Sequence, residues 1–349
     1  MSPLSRRRLL GTVGVVGVSG SAAVATVLNS ATTPSPASTP GGLRTASSDP
    51  TALASPGVIG RTHAFNKPTA FYSDFTEPAS SLFVPITNSF PSGPGKFIRR
   101  ASWGSAASAL GSATDNSADC LINNKEQQCY VDAGVVQVPS GIKLQAVRGR
   151  DNPIKQPWTS GIICSSSSMT CLQGYAEVVA KLPRNCSGLF PCFWLLGLNG
   201  GEWKWEIDFG EVARDPHTLH GGAIQWGDPN GYGASSLAKH QDTTTDTAFR
   251  KYGVRWDNND IKFYFEGKPW EIYPRLPPMP LTAKWPATLV INLAMGGPVG
   301  YTGQTDASTP SPTEMFVRSA AMFKLSDWPS ATQDIPNTPS AGAAVPNWE

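Results

Sequence analysis

The chain has 349 residues, 40% of them hydrophobic, which is enough for a substantial core. Charged residues make up only 15%, against roughly 25% in ordinary soluble domains, and 34 Gly with 31 Pro point to many turns between short elements. The formal charge is +2; without Arg6, Arg7 and Arg8 the 28 basic residues fall to 25 against 26 acidic ones, so nothing in the charge favours nucleic acid or an anionic membrane.

Residues 1–25 follow the plan of a secretory signal: a basic start at Arg6-Arg7-Arg8, an apolar Gly- and Val-rich stretch, and Ala23-Val24-Ala25 as a cleavage site. The paired arginines before Leu9-Leu10 resemble a bacterial twin-arginine export signal. An uncleaved anchor is the alternative, although Gly and Ser dilute the run from Leu9 to Leu28. The expectation is therefore a secreted, extracellular protein with no membrane contact once the signal is cut. Residues 26–64 are rich in Ser, Thr, Pro and Ala and lack the large apolar side chains that offset chain entropy, so they read as a flexible linker. Residues 330–349 read as a loose tail, which leaves 65–329 as one domain.

Within that unit the six cysteines suit an oxidising compartment and form no Cys-x-x-Cys pair. The simplest pairing is local: Cys120–Cys129, Cys164–Cys171 and Cys186–Cys192. Buried free thiols are the other reading.

Alternating apolar segments recur along the unit, each bounded by turn residues. Val135–Val138 and Ile142–Val147 form a predicted hairpin through Pro139-Ser140-Gly141. Strands are predicted at Tyr175–Leu182, Leu189–Leu196, Ala287–Met295 and Met315–Leu325. Tyr252–Trp256 and Ile261–Phe265 flank the turn residues 257–260. With no amphipathic stretch of helical length after residue 60, the pattern predicts an all-β sandwich or barrel.

The segment Trp203-Lys-Trp-Glu-Ile-Asp-Phe-Gly-Glu-Val212 concentrates three carboxylates in a charge-poor chain. Strand alternation puts Glu206 and Asp208 on one face and Ile207 and Phe209 on the other. Glu211 has the wrong parity, which one extra residue in a β-bulge at Gly210 would correct. With the bulge, three carboxylates share a site and at least one pKa should rise, as glycoside hydrolysis requires of its acid. The α-carbons of Glu206 and Glu211 would lie on the order of 13 Å apart. The side chains must then lean together to reach the roughly 5–5.5 Å of a retaining pair. Without the bulge, a solvated acidic strand or a calcium site accounts for the same residues.

Other chemistries lack support: there is no His-Glu-x-x-His, Gly-x-Ser-x-Gly or phosphate-binding glycine loop. Of the histidines, His63 and His240 stand apart, and only His217 and His220 are close enough to suggest a metal pair. Most of the 11 tryptophans are expected in the core, with some left to line a groove.

Glu206-Ile-Asp-Phe-Gly-Glu211 resembles the bulged Glu-x-Asp-x-x-Glu signature of glycoside hydrolase family 16, the laminarinase-like enzymes. Several other segments are similar to the family's and follow its order. Upstream these are Asn123-Asn-Lys-Glu-Gln-Gln-Cys-Tyr130, Thr159-Ser-Gly161, Gly174-Tyr-Ala-Glu-Val-Val-Ala-Lys-Leu-Pro183 and Phe193-Trp-Leu-Leu-Gly197. Downstream are Tyr252-Gly-Val-Arg-Trp256, Phe263-Tyr-Phe-Glu-Gly267 and Ile291-Asn-Leu-Ala-Met-Gly-Gly297.

The resemblance implies a concave β-jelly-roll sandwich of two antiparallel sheets and retaining, endo-acting hydrolysis of a β-linked polysaccharide, with β-1,3-glucan as the first expectation. Glu206 would be the nucleophile, Glu211 the general acid/base and Asp208 the residue that holds and polarises Glu206. Trp194, Trp203 and His220 would bind substrate, whereas parity assigns Trp205 to packing. No cofactor is required for the chemistry; a structural calcium ion is compatible with the family, though no ligands for it are legible. A monomer is expected. The chain departs from the pattern in the lead-in Glu202-Trp-Lys-Trp205, in Gly210 where a bulky Met or Leu is usual, and in its cysteines. These departures bear on the substrate, so a galactan such as agar or carrageenan, or a mixed-linkage glucan, stays open. So does a non-catalytic carbohydrate-binding protein.

Overall fold

The computed structural model describes residues 69–87, 90–91, 93–99, 125–152, 155–166, 169–199, 202–220, 224–226, 239–257, 259–274, 285–299 and 301–324. The expected signal, linker and tail lie outside these residues, as do His63 and Cys120. In chain order the strands begin with β1 (Thr69–Ser73), β2 (Ile86–Thr87), β3 (Phe90–Pro91), β4 (Phe97–Ile98) and β5 (Gln128–Tyr130). There follow β6 (Val135–Val138), β7 (Gly141–Arg148), β8 (Trp158–Ser160), β9 (Ile162–Ser165) and β10 (Gly174–Lys181). Next come β11 (Leu189–Asn199), β12 (Glu202–Val212), β13 (Thr218–His220), β14 (Ile224–Trp226) and β15 (Lys239–Gln241). The last are β16 (Arg250–Trp256), β17 (Asp260–Phe265), β18 (Lys268–Pro274), β19 (Ala287–Met295) and β20 (Thr313–Lys324). The one α-helix among the described residues is a single turn, Ala79–Leu82.

Most of the strands fall into two stacked sheets. The first runs β18-β17-β16-β10-β20-β7-β8-β5, with β1 added beside β20 and β6 beside β7. The second runs β15-β13-β12-β11-β19-β9-β4, with β14 beside β12. Pairing is antiparallel except between β5 and β8. The fold is the expected all-β jelly-roll sandwich. The predicted hairpin is present as β6–β7, where Val138 pairs with Gly141, and β16–β17 forms across the predicted turn.

Alternation decides what each face does. On the first sheet Ala176, Val178, Tyr252, Val254, Trp256 and Met322 point to the second sheet; on the second, Phe193, Leu195, Trp205, Ile207, Phe209 and Ile291 point back. Trp158, Trp205 and Trp256 are fully enclosed there, and burying each such side chain contributes about 3 kcal/mol. The far side of the first sheet carries Tyr175, Tyr264 and Phe323 in contact. Glu177 sits there too, its carboxylate accepting from the Tyr175 hydroxyl at 3.0 Å, so this acid of the Gly174–Pro183 segment is structural and lies on a different sheet from Glu206, Asp208 and Glu211.

The local disulfides need correction. Cys164, Cys171, Cys186 and Cys192 are free thiols. In the expected Cys164–Cys171 and Cys186–Cys192 pairs the two sulfurs belong to different layers: Cys164 and Cys192 lie in the apolar cluster on the outer face of the second sheet. Cys171 and Cys186 pack in or against the core between the sheets. A strand therefore separates each pair, and no disulfide can cross it without rearranging the backbone. Cys129 is not among the free thiols; Cys120, with which local spacing pairs it, lies outside the described residues.

Candidate active site

The three carboxylates lie on β12 in the middle of the second sheet. Along the β11–β12 ladder Phe193 pairs with Gly210 but Trp194 pairs with Asp208, so Phe209 is the extra residue of a β-bulge. The bulge restores parity. Leu196, Trp194 and Cys192, alternate residues on one face of β11, stand opposite Glu206, Asp208 and Glu211. All three acids consequently face away from the core on one side of the sheet.

Gly210 is there for a packing reason. A Cβ at that position would lie 2.3 Å from Cδ2 of Phe193, whose ring fills the space beneath the bulge. Similarly, Trp205 lies flat on Gly197, where a Cβ would come within 2.1 Å of the indole. Trp205 is thus a packing residue, as parity predicts.

Three rows cross the sheet at the acids. Thr288, Leu196 and Glu206 form one, and Cys164, Val290, Trp194 and Asp208 the next. The third runs Ile162, Asn292, Cys192, Glu211, His220 and Lys239. Glu206 and Asp208 are only 2% and 3% exposed, while Glu211 is half-buried. The acid closest to water is the one at the end of the series.

Trp194 stands beside Asp208 on this face but is 1% exposed, so it acts as a buried support and not as an open platform. Its indole Nε1 donates to Asn292 Oδ1 at 2.7 Å, and Asn292 Nδ2 donates to the Tyr130 hydroxyl at 2.9 Å. Gln128 continues the support, accepting from the Met295 amide at 2.8 Å and donating to Glu126 at 2.7 Å. Sequence reasoning missed Asn292. The signal was present, since it is the one amide in the apolar run Ala287–Met295.

Trp203 and His220 belong to described strands, but their side chains are outside the described ones; the backbone register sets His220 directly across from Glu211. His217 is engaged elsewhere, with Nε2 2.9 Å from Asp246 Oδ1 and Nδ1 3.7 Å from Asp215. Among the described residues no group of three or more His, Cys, Asp or Glu side chains is arranged to hold a metal ion.

A jelly-roll sandwich with three acids brought to one sheet face by a bulge defines a class of carbohydrate-active proteins. Comparison with known proteins gives the family. The profile of glycosyl hydrolases family 16 matches residues 120–314, and the chain belongs to that family. It is 31% identical over 197 residues to endo-1,3-1,4-beta-glycanase EglC of Rhizobium meliloti (strain 1021), a match covering 52% of this chain and 40% of that one. It is 26% identical over 219 residues to glucan endo-1,3-beta-glucosidase A1 of Niallia circulans, covering 58% and 31%. The chain therefore spans well under half the length of these curated relatives. Among solved structures it resembles the laminarinase catalytic domain of Thermotoga maritima MSB8, with a TM-score of 0.56, 18% identity, and 74% and 98% of the two chains covered. It also resembles the endo-beta-1,3-glucanase of Pyrococcus furiosus, with a TM-score of 0.57, 19% identity, and 74% and 94% covered. At that identity the likeness shows the fold.

Proposed function

We propose that the chain is an exported, retaining endo-hydrolase of a β-linked glucan, with β-1,3 linkages as the first substrate. The observation that carries the reading is the bulge at Phe209, which turns Glu211 to the face of Glu206 and Asp208. Family membership supports it, as do the names of the relatives, an endo-1,3-1,4-beta-glycanase and a glucan endo-1,3-beta-glucosidase. Export is supported by the amino-terminal pattern of residues 1–25.

Glu206 attacks the anomeric carbon as a carboxylate while Glu211 passes its proton to the departing glycosidic oxygen, leaving a covalent glycosyl–enzyme ester. Glu211, now a carboxylate, takes a proton from water, the hydroxide oxygen displaces Glu206, and the sugar leaves with its original β configuration. The nearly inaccessible Glu206 suits a nucleophile that must not be solvated, and the more open Glu211 suits a group that meets water in the second step. Asp208, one row from each, holds Glu206 in line. Mixed-linkage glucan is the second reading, favoured by the 1,3-1,4 specificity in the name of the EglC relative.

The test is reducing-end release from laminarin, mixed-linkage glucan, xyloglucan, agarose and carrageenan. Glu206→Gln should lower turnover by about three orders of magnitude or more while the protein stays folded. NMR of early product should show the β-anomer; an initial α-product means inversion. Full activity in Glu206→Gln removes the nucleophile assignment, and silence on every polymer, with retention in a pull-down, leaves a binding protein.

A further inference from the structure

On the hydrolase reading above, nucleophile and acid/base stand on opposite sides of one sugar ring and both lie along β12. The glycan must then cross that strand, and the face around it has two halves, β11, β19 and β9 on one side and β13 and β15 on the other. These halves differ. On the β11 side the face is closed and mostly apolar: Ile162, Cys164, Cys192, Trp194, Leu196 and Val290 are each 1% exposed or less, as is Asn292 among them. On the β15 side Lys239 and Gln241 are exposed.

The direction of Lys239 follows from register. Val212, Leu219 and His240 form one row, and Val212 and Leu219 lie in the core between the sheets. In the neighbouring backbone row, which runs through His220, Glu211 and Lys239 therefore point to the opposite, acid-bearing face. Two strand spacings, about 10 Å, separate Lys239 from Glu211, which takes its ammonium beyond the ring at the scissile bond. Among the described residues Lys239 makes no ion pair. Lys204, on the same strand as the acids, is half-buried and stands 5.9 Å from the Trp285 ring.

We propose that Lys239 is a specificity residue that admits a β-glycan carrying carboxylate substituents. Three carboxylates at the centre of the face repel an anionic polymer. An exposed cation in the row of Glu211, with no ion-pair partner among the described residues, offsets that repulsion and gives one substituent a charge-assisted partner.

The probes are an unsubstituted β-1,3-glucan and the same glucan lightly carboxymethylated. At low salt Lys239→Met should raise KM for the carboxymethyl glucan about three- to fivefold more than for the neutral one. Lys239→Arg should keep the parent's ratio, and the difference should fade in about 0.3 M salt, where screening acts within roughly 6 Å. Equal changes on both glucans, or a difference that survives salt, overturn the proposal. Affinity electrophoresis on the two glucans, comparing Glu206→Gln with and without Lys239→Met, reads the same preference without turnover. If the parent cleaves neither glucan the hydrolase reading fails, and the electrophoresis still decides the lysine: selective loss of retardation on the carboxymethyl glucan supports it, and its absence overturns it.

Discussion

Glu206 and Cys171 show how much a side chain's layer decides. The acid is buried on the face where a substrate would lie; the thiol is buried in the core, and burial pushes its pKa up to about 12. Cys186 is less enclosed, and burial raises it to about 11, with Thr313 as a hydrogen-bond partner that lowers it. At pH 8 the thiolate fraction of Cys171 is about one part in ten thousand and that of Cys186 about one in a thousand, and the thiolate is the reactive form. Iodoacetamide at pH 8 should leave both unmodified in the native protein over times that alkylate a model peptide thiol completely. In guanidinium all four free thiols should react. Mass spectrometry locates the label, and prompt native modification of Cys171 would mean that the core opens locally at that site.

At the scale of the element, β12 works because Phe209 is extra and Gly210 yields its volume to Phe193. That ring is fully buried and touches Phe209 and Tyr252, with centroids at 6.3 and 4.9 Å; it has nowhere to retreat. Gly210→Ala should therefore cost about 1–3 kcal/mol of stability by overpacking. Turnover should fall even where the protein is fully folded, because Asp208 and Glu211 shift with the bulge. Adding Phe193→Leu should recover part of both losses; denaturant melts and kcat measured well below Tm check this. A Gly210→Ala protein with parent stability and activity would mean that the bulge tolerates a side chain and that Phe193 does not hold it. The same strand shows what was legible in the sequence. Period-two alternation exposed the parity conflict of Glu211, and a glycine at the break pointed to its remedy, so the site could be read from local rules. Pairings between distant strands could not. Val290 and Asn292 of β19 join the rows of Asp208 and Glu211 through a ladder that spacing does not encode. Cysteines seven residues apart looked bridgeable only because the layer that separates Cys164 from Cys171 is invisible in one dimension. Position in the motif suggests that Trp194 lines a groove, whereas the structure buries it in an apolar cluster and bonds its indole to Asn292, nearly a hundred residues away.

The whole molecule has an edge where its two sheets meet, and His240 sits in it. β15 ends one sheet and β18 the other. The imidazole bridges them, its centroid 4.4 Å from that of Phe265 and 5.7 Å from that of Trp270. Burial lowers the His240 pKa below 6.5 and outweighs the attraction of Asp242, which raises it. The unfolded chain therefore takes up this proton at higher pH than the folded one does. The contribution of neutral His240 is intact above the unfolded value near 6.5 and is lost as pH falls through that value towards the lower folded pKa. Because the ring is only partly buried, screening keeps the effect small. Between pH 7.5 and pH 5.5 the parent should lose about 1–2 °C of Tm more than His240→Phe, which preserves the ring contacts and cannot take the proton. Comparing the two proteins cancels every other group that titrates in that interval. Parallel Tm curves would mean that the edge accommodates imidazolium, for instance through the faces of Phe265 and Trp270, and that the two sheets are held together there without regard to pH.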